Sequence, residues 1–135
     1  MNGTIISELI DQALMEVHTA FVAKVVSVEG NMATVQPLNM IKAAGGQAMP
    51  QAVIECCPVL QNARKFAQKT VTASSGGDPS HTHTVTAWEA VPPVSGDVVF
   101  CVCADRDISE TRFGTMALPA VGHHPISAAV VVGIL

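Results

Sequence analysis

The apolar residues at the start of the chain recur with the spacing of a helix. Between Ile5 and Val17 they lie three or four positions apart and alternate with polar residues, which predicts an amphipathic α-helix of about four turns. Asn2 and Thr4 are the candidate N-caps of this helix. An apolar stripe of this kind is covered either by the chain's own domain or by another subunit, and the periodicity fits both.

Further along the chain the apolar residues follow the pattern of β-strands and predict five core strands. The strands cover residues 21–29, 32–37, 53–60, 98–104 and 126–135, of which the last is either a strand or a docking segment. Gly30-Asn31 supplies a tight turn between the first two strands. Pro58 indicates that the third strand either lies at the edge of the sheet or ends near this residue. The segment 43–50, with two adjacent glycines, is predicted to be a mobile loop.

A Thr- and Val-rich region predicts a projecting β excursion. Residues 71–73 and 82–88 flank the turn 74–79, and threonines at alternate positions suit strands with one polar face. We therefore predict an all-β protein, an OB-like small barrel with a β insertion and an N-terminal helix. The helix takes residues 1–18, the barrel 19–60 and 92–135, and the insertion 61–91.

Composition narrows the classes of function. The chain has 135 residues, enough for one domain with its own core. Only 13% of them are charged, against roughly 25% in soluble domains, so we expect partners to cover much of the surface. The net charge of −4 argues against nucleic-acid binding, and the basic cluster Arg64, Lys65 and Lys69 is interpreted as a solvated face. Neither a signal peptide nor a membrane-spanning run is predicted, so we expect synthesis in a cytoplasm.

The sequence contains no pattern typical of an active site. It has no GxSxG element and no phosphate-binding loop. Four carboxylates beside Arg106 and Arg112 are interpreted as part of a salt-bridged loop rather than as an acid–base pair, namely Asp97, Asp105, Asp107 and Glu110. The four cysteines are interpreted as small buried residues, with a zinc site at Cys101 and Cys103 as the alternative. We therefore expect that the protein is not an enzyme.

His81-Thr82-His83 is the strongest candidate for chemistry. In an extended strand, residues i and i+2 point to the same side with Cα atoms about 6 to 7 Å apart, so both imidazoles can approach one metal ion. One pair supplies too few ligands for a tight site, and a lone pair of this kind is commonly inert. If three chains met on an axis, their pairs would supply six nitrogens, which suits an octahedral ion of iron, nickel, copper or zinc. Such a full ligand set is structural rather than catalytic.

Several stretches of the sequence occur in an order and at a spacing that are typical of one protein family. They are Val25–Val28 with Ala33–Pro37, Pro93–Asp97 with the strand and Asp-Arg-Asp-Ile loop that end at Ser109, and Gly122–Ala129. Together they resemble the OB-fold central spike proteins of contractile-tailed phages and phage-tail-like bacteriocins, over residues 17–135. The stretch around His124 lacks the Arg and Asp of that family, so no role passes to His124. The chain also lacks the long C-terminal β-helix of the family, so the insertion would have to form the needle.

The resemblance implies an intertwined homotrimer at the hub of a baseplate, with a β-structured needle. In several family members the HxH motifs of three chains hold one iron ion through six histidines. This implies that His81 and His83 are the metal ligands, with one iron per trimer and with zinc or nickel as weaker alternatives. It also implies that the helix of residues 1–18 docks on a tail hub protein. Val71, Val85 and Trp88 are the candidates for packing along the threefold axis below the ion.

We therefore expect a non-enzymatic spike at the tip of a contractile injection machine, in a virion tail or a phage-tail-like bacteriocin (tailocin), made in a bacterial cytoplasm. Its partners would be two further copies, the hub protein and the target cell envelope that it pierces. Two alternatives remain open. One is a metal-dependent enzyme that uses the HxH pair with a carboxylate, and the other is an OB-type ligand-binding module in which the histidines are incidental.

Overall fold

The computed structural model of the chain describes residues 3–15, 17–42, 45–77, 79–118 and 123–135. Within these residues the protein is mostly β with one α-helix, so the predicted fold class is confirmed at that level. The elements are α1 (Gly3–Met15), β1 (Ala20–Glu29), β2 (Met32–Pro37), β3 (Met40–Lys42), β4 (Ala48–Pro50), β5 (Ile54–Pro58), β6 (Lys65–Ser74), β7 (Thr82–Val91), β8 (Val98–Cys103) and β9 (Ala129–Ile134). Two short 3₁₀ turns cover Thr111–Phe113 and Ile126–Ala128.

Five strands form one curled sheet. Their order is β5-β2-β1-β8-β9, and every neighbouring pair is antiparallel. Val59, directly after β5, forms an isolated parallel bridge with Val131 of β9. Next to it, the Leu60 N–H donates a hydrogen bond of 3.0 Å to the Val131 carbonyl. The sheet therefore curls into a half-barrel whose two edge strands approach each other, and its members correspond to the five predicted core strands.

The core lies inside this half-barrel and consists of small side chains. Alternate residues of a strand point to the same side. In β8, for example, Val99, Cys101 and Cys103 are buried, whereas Phe100 and Val102 are exposed. The largest fully buried side chains include Val25, Val35, Val99 and Val131. Each buried valine contributes about 2 kcal/mol, and a register slip of one residue would expose the whole set.

β6 and β7 form a hairpin outside this sheet. It has ten residue pairs, from Lys65↔Val91 at the base to Ser74↔Thr82 near the tip. In the described part of the chain each of the two strands pairs only with the other, and most of their side chains are exposed. The arms are longer than the sequence predicts, and ten residues of strand extend about 33 Å.

The described part of the segment 43–50, predicted to be a mobile loop, belongs to a second, short hairpin. β3 and β4 pair with each other, with Ile41 opposite Met49. Gly45 has φ of 74°, in the left-handed region that glycine adopts without strain. The two glycines therefore lie in a turn before β4, and Ala43 and Ala44 lie outside the described residues.

The helix α1 is confirmed, but its apolar stripe is uncovered. The described large apolar side chains on it are exposed, namely Ile5, Ile6, Leu9, Ile10 and Leu14. The candidate cap Asn2 lies outside the described residues. Of the two ways to cover the stripe, packing on the chain's own domain does not occur in this structure. No helix in the described ranges has the length and apolar character needed to cross a membrane.

Candidate metal centre

The His81-Thr82-His83 motif lies at the tip of the β6–β7 hairpin. The Ser75 N–H donates a hydrogen bond of 2.9 Å to the His81 carbonyl, which adds one more cross-strand contact beyond the ends of the strands. The loop that remains comprises residues 76–80, of which Asp78 lies outside the described residues. His83 pairs with Ala73, whose short side chain leaves the imidazole exposed.

The two imidazoles of the motif lie side by side. Their ring centroids are 5.0 Å apart, and their planes are perpendicular. Nδ1 of His81 lies 3.2 Å from the carbonyl oxygen of Pro79, which can only accept a hydrogen bond. A neutral imidazole that donates from Nδ1 keeps its lone pair on Nε2, and backbone carbonyls orient metal-binding histidines in this way. In that tautomer Nε2 of His81 is the ring nitrogen that could accept a metal ion.

The described residues of one chain would supply only part of a metal ion's ligand set at this tip. Among the residues that the structure describes, no group of three or more His, Cys, Asp or Glu side chains could hold a metal ion. The predicted ligands His81 and His83 are brought together, and both are exposed. Their donor atoms fit ions that accept imidazole, such as iron, nickel or zinc. Such an ion would need further ligands from outside the described part of this chain.

The predicted packing residues below the histidines do not share one face. Val71 pairs directly with Val85, so their side chains lie together on one face of the hairpin. Trp88 pairs with Gln68 and is an odd number of positions from Val85, so it lies on the opposite face. The prediction that all three pack along a threefold axis stays a prediction, and the register adds that Trp88 stands on the face opposite to Val71 and Val85.

His123 and His124 belong to a different part of the molecule. Nδ1 of His123 lies 3.4 Å from Oδ1 of Asp105, and Nε2 of His124 lies 3.7 Å from the same oxygen. The His124 N–H donates to the Asp105 carbonyl, and the His124 carbonyl accepts from the N–H of His18. Nδ1 of His18 is buried and has no hydrogen-bond partner among the described residues. These contacts join the segments that flank β1, β8 and β9.

The cysteines are free thiols, and Cys57, Cys101 and Cys103 are buried as the sequence predicts. The prediction is wrong for Cys56, which is exposed. Burial raises the pKa of Cys57 to about 11 and that of Cys101 to about 12, and neighbouring thiols add to both shifts. Burial also raises the pKa of Cys103. Among the described residues no group of three or more His, Cys, Asp or Glu side chains could hold a metal ion, so this part of the chain gives the alternative of a zinc site at Cys101 and Cys103 no support.

An ion pair at the base of the hairpin was missed by the sequence interpretation. Lys65, assigned to a solvated face, lies with its Nζ 2.7 Å from both carboxylate oxygens of Asp97, assigned to the acidic loop. Within that loop Asp105 forms the expected ion pair, with Arg106 at 3.7 Å. The carboxylate of Asp107 instead accepts hydrogen bonds from Ser109. Lys65 and Asp97 are 32 positions apart, so no local pattern connects them.

Comparisons with known proteins leave the family open. No protein-family model matches this chain, and no curated protein is significantly similar to it. Function therefore has to be inferred from the geometry of the chain and from the sequence resemblance.

Proposed function

We propose that this protein is the structural, trimeric spike at the tip of a contractile injection apparatus, a phage tail baseplate or a tailocin, and that it pierces the target cell envelope. The observation that carries the proposal is the position of His81 and His83. They lie at the exposed end of a ten-pair hairpin that no other described strand joins, where the described residues of one chain offer two nitrogens and no third ligand. Identical copies supply the missing ligands without any further protein.

The topology of the curled sheet supports an OB-like barrel as the base of this spike. Its strand order, read together with the parallel bridge Val59↔Val131, gives a ring of five strands with one parallel contact. Five-stranded OB barrels close in this way. Along the chain, the β6–β7 hairpin lies between β5 and β8, two strands of this ring.

The proposed metal ion is iron, one per trimer, held by His81 and His83 of each chain. Six imidazole nitrogens complete an octahedral set, and the ion would supply structural cross-linking of three chains. Within each chain the Pro79 carbonyl holds the ring of His81 in the orientation that presents Nε2. The chain's own contribution is therefore a pair of donors already held close together.

The remaining proposed partners, the tail hub protein and the target cell envelope, are assigned to exposed parts of the chain. The apolar stripe of α1, which includes Leu9 and Ile10, is exposed and is proposed to dock on the tail hub protein. The tip is proposed to meet the target cell envelope, and the low fraction of charged residues fits a subunit covered by neighbours in the particle.

The alternative of a metal-dependent enzyme needs an open coordination position beside a substrate cavity. Two surface depressions, of about 250 Å³ and about 360 Å³, lie beside the loop that contains Asp107. Neither is lined by His81 or His83. Neither of these two depressions therefore provides a substrate cavity beside the histidine pair.

Mass determination combined with metal analysis tests the proposal. The purified chain is expected to be a trimer that contains one iron per three chains. One metal per monomeric chain would favour the enzyme, and a metal-free monomer would favour the ligand-binding module and contradict the spike. A trimer that contains zinc or nickel would retain the spike and correct the identity of the ion.

A further inference from the structure

The distal half of the β6–β7 hairpin has two faces of opposite character. In an antiparallel ladder, directly paired residues stand on the same face, and the face alternates at each step. The five pairs nearest the tip therefore alternate between the two faces of the hairpin. One face carries only hydroxyl side chains: Thr70, Thr72, Ser74, Thr82, Thr84 and Thr86. The other, which we call the valine face, carries Val71, Ala73, His83 and Val85.

The hydroxyl face is compatible with water. Its side chains are exposed, and the hydroxyls of Thr72 and Thr84 lie 3.4 Å apart across the strands. Hydroxyl groups lose hydrogen bonds to water when they are buried without partners, so covering this hydroxyl face with an apolar surface would cost free energy. This face therefore has no need of a partner.

The valine face has the opposite requirement. Val71 is 46% exposed and Val85 is 60% exposed, although they pair directly. A two-stranded hairpin without further contacts is marginally stable in water, so covering one face would stabilise it. The distal valine face also has no Asp, Glu, Lys or Arg side chain, so identical copies can approach along it without strong repulsion between like charges.

We infer that the valine face is the surface through which copies of this chain contact one another, with the hydroxyl face turned to solvent. The inference rests on the proposed function and adds to it the orientation of each hairpin. The same histidine of several chains can reach one ion only if the face that carries it is nearest the symmetry axis. Because Val71 and Val85 share that face with His83, they are brought together with it.

In the proximal half of the hairpin the two faces have the reverse polarity, so the proposed contact does not extend there. There, Phe66 and Trp88 lie on the same face as the threonines. Lys69 and Glu89, which form an ion pair of 3.5 Å, lie on the continuation of the valine face. The polarity of the two faces is thus reversed toward the base, and the proposed contact covers only the distal pairs, from Thr70↔Thr86 to the tip.

Two charged variants one position apart test the orientation. Val85→Lys places an ammonium group on the valine face, and Thr86→Lys places the same group on the hydroxyl face. Light scattering after size-exclusion chromatography, with circular dichroism to verify β content, is expected to show a trimer for the wild type and for Thr86→Lys. For Val85→Lys we expect monomers, with at least a tenfold loss of affinity between chains.

The outcomes separate the inference from the proposed function. If Thr86→Lys dissociates the trimer and Val85→Lys does not, the orientation is wrong while the trimer stands. If both variants or neither dissociates it, the distal valine face is not the specific contact. A monomeric wild type would overturn the proposed function and this inference with it.

A cross-linking pair gives a readout that does not depend on dissociation. Val85→Cys is expected to form disulfide-linked chains under mild oxidation, and Thr86→Cys is expected to form none above the wild-type background from the exposed Cys56. Equal cross-linking by both variants, or cross-linking by Thr86→Cys alone, would overturn the orientation even if the lysine variants fold poorly.

Discussion

At the scale of single residues, Asp97 joins the base of the hairpin to the barrel. Its carboxylate accepts hydrogen bonds from Lys65 Nζ and, over 2.8 Å, from the Val94 N–H, while its backbone carbonyl accepts from the N–H of Val25 in β1. The hydrogen bonds from Lys65 and Val94 hold the pKa of Asp97 below its ordinary value of 3.8. The charged form therefore stabilises the folded chain.

This pKa shift predicts a pH dependence of stability. A carboxyl group with a lower pKa in the folded chain stabilises it above the ordinary carboxyl pKa, and this contribution is lost as the pH falls through the folded value. We expect Asp97→Asn to lower the free energy of unfolding at pH 6 by about 1 kcal/mol, since the pair is partly exposed. At pH 2 the difference from wild type should nearly vanish.

Urea unfolding at the two pH values measures this difference. Asp11→Asn makes the same change of charge on the exposed helix and serves as the matched control. A deficit of Asp97→Asn that persists unchanged at pH 2 would mean that the asparagine disturbs the turn rather than removing a charge interaction.

At the scale of elements, the strands of the curled sheet could be predicted because each buries one face. In β2 and β8 the inward positions repeat at every second residue, so the sequence period fixes both the strand and its buried side. The hairpin β3–β4 was not predicted because its residues are exposed on both faces. Without a buried face there is no hydrophobic alternation against which a strand can be recognised.

The candidate site could be predicted in part for a related reason. The side-by-side position of His81 and His83 follows from strand geometry and two sequence positions. The opposite side of Trp88 follows from the same parity, which the sequence interpretation did not apply. The support from Pro79 and the ion pair of Lys65 with Asp97 depend on the loop conformation and on long-range contacts, which a single sequence does not encode locally.

The exposure of α1 predicts that its apolar stripe contributes little to the stability of the barrel. Leu9 is 60% exposed and Ile10 is 54% exposed, so we expect Leu9→Gln with Ile10→Gln to change the free energy of unfolding by less than about 0.5 kcal/mol. Glutamine retains a good helix propensity. As a comparison, Val131→Ala in the core should cost about 2 kcal/mol. Chemical denaturation measures both, and a loss similar to that of Val131→Ala would mean that α1 packs on the barrel.

At the scale of the whole molecule, the proposed ion should stabilise the assembly through the tip alone. The double variant His81→Ala with His83→Ala is expected to lower the melting temperature by about 5 °C or more, since a bound ion stabilises only the folded assembly. A chelator should produce the same decrease in the wild type and no further decrease in the variant. His123→Ala removes an exposed imidazole near Asp105 and should keep the response to the chelator. Calorimetry measures these shifts, and a double variant that melts like the wild type would count against a structural metal.

The register of the β6–β7 hairpin also has a mechanical consequence. Its backbone hydrogen bonds run perpendicular to the strands, and its ten pairs continue without a shift from Lys65 to Ser74. A force that slides one strand along the other would load all of these pairs in shear at once. A force that separates Lys65 from Val91 would instead open the ladder one pair at a time, from the base upward. The same hairpin is therefore strong along its length and weak across its base, where the Lys65–Asp97 ion pair holds one of the two strands.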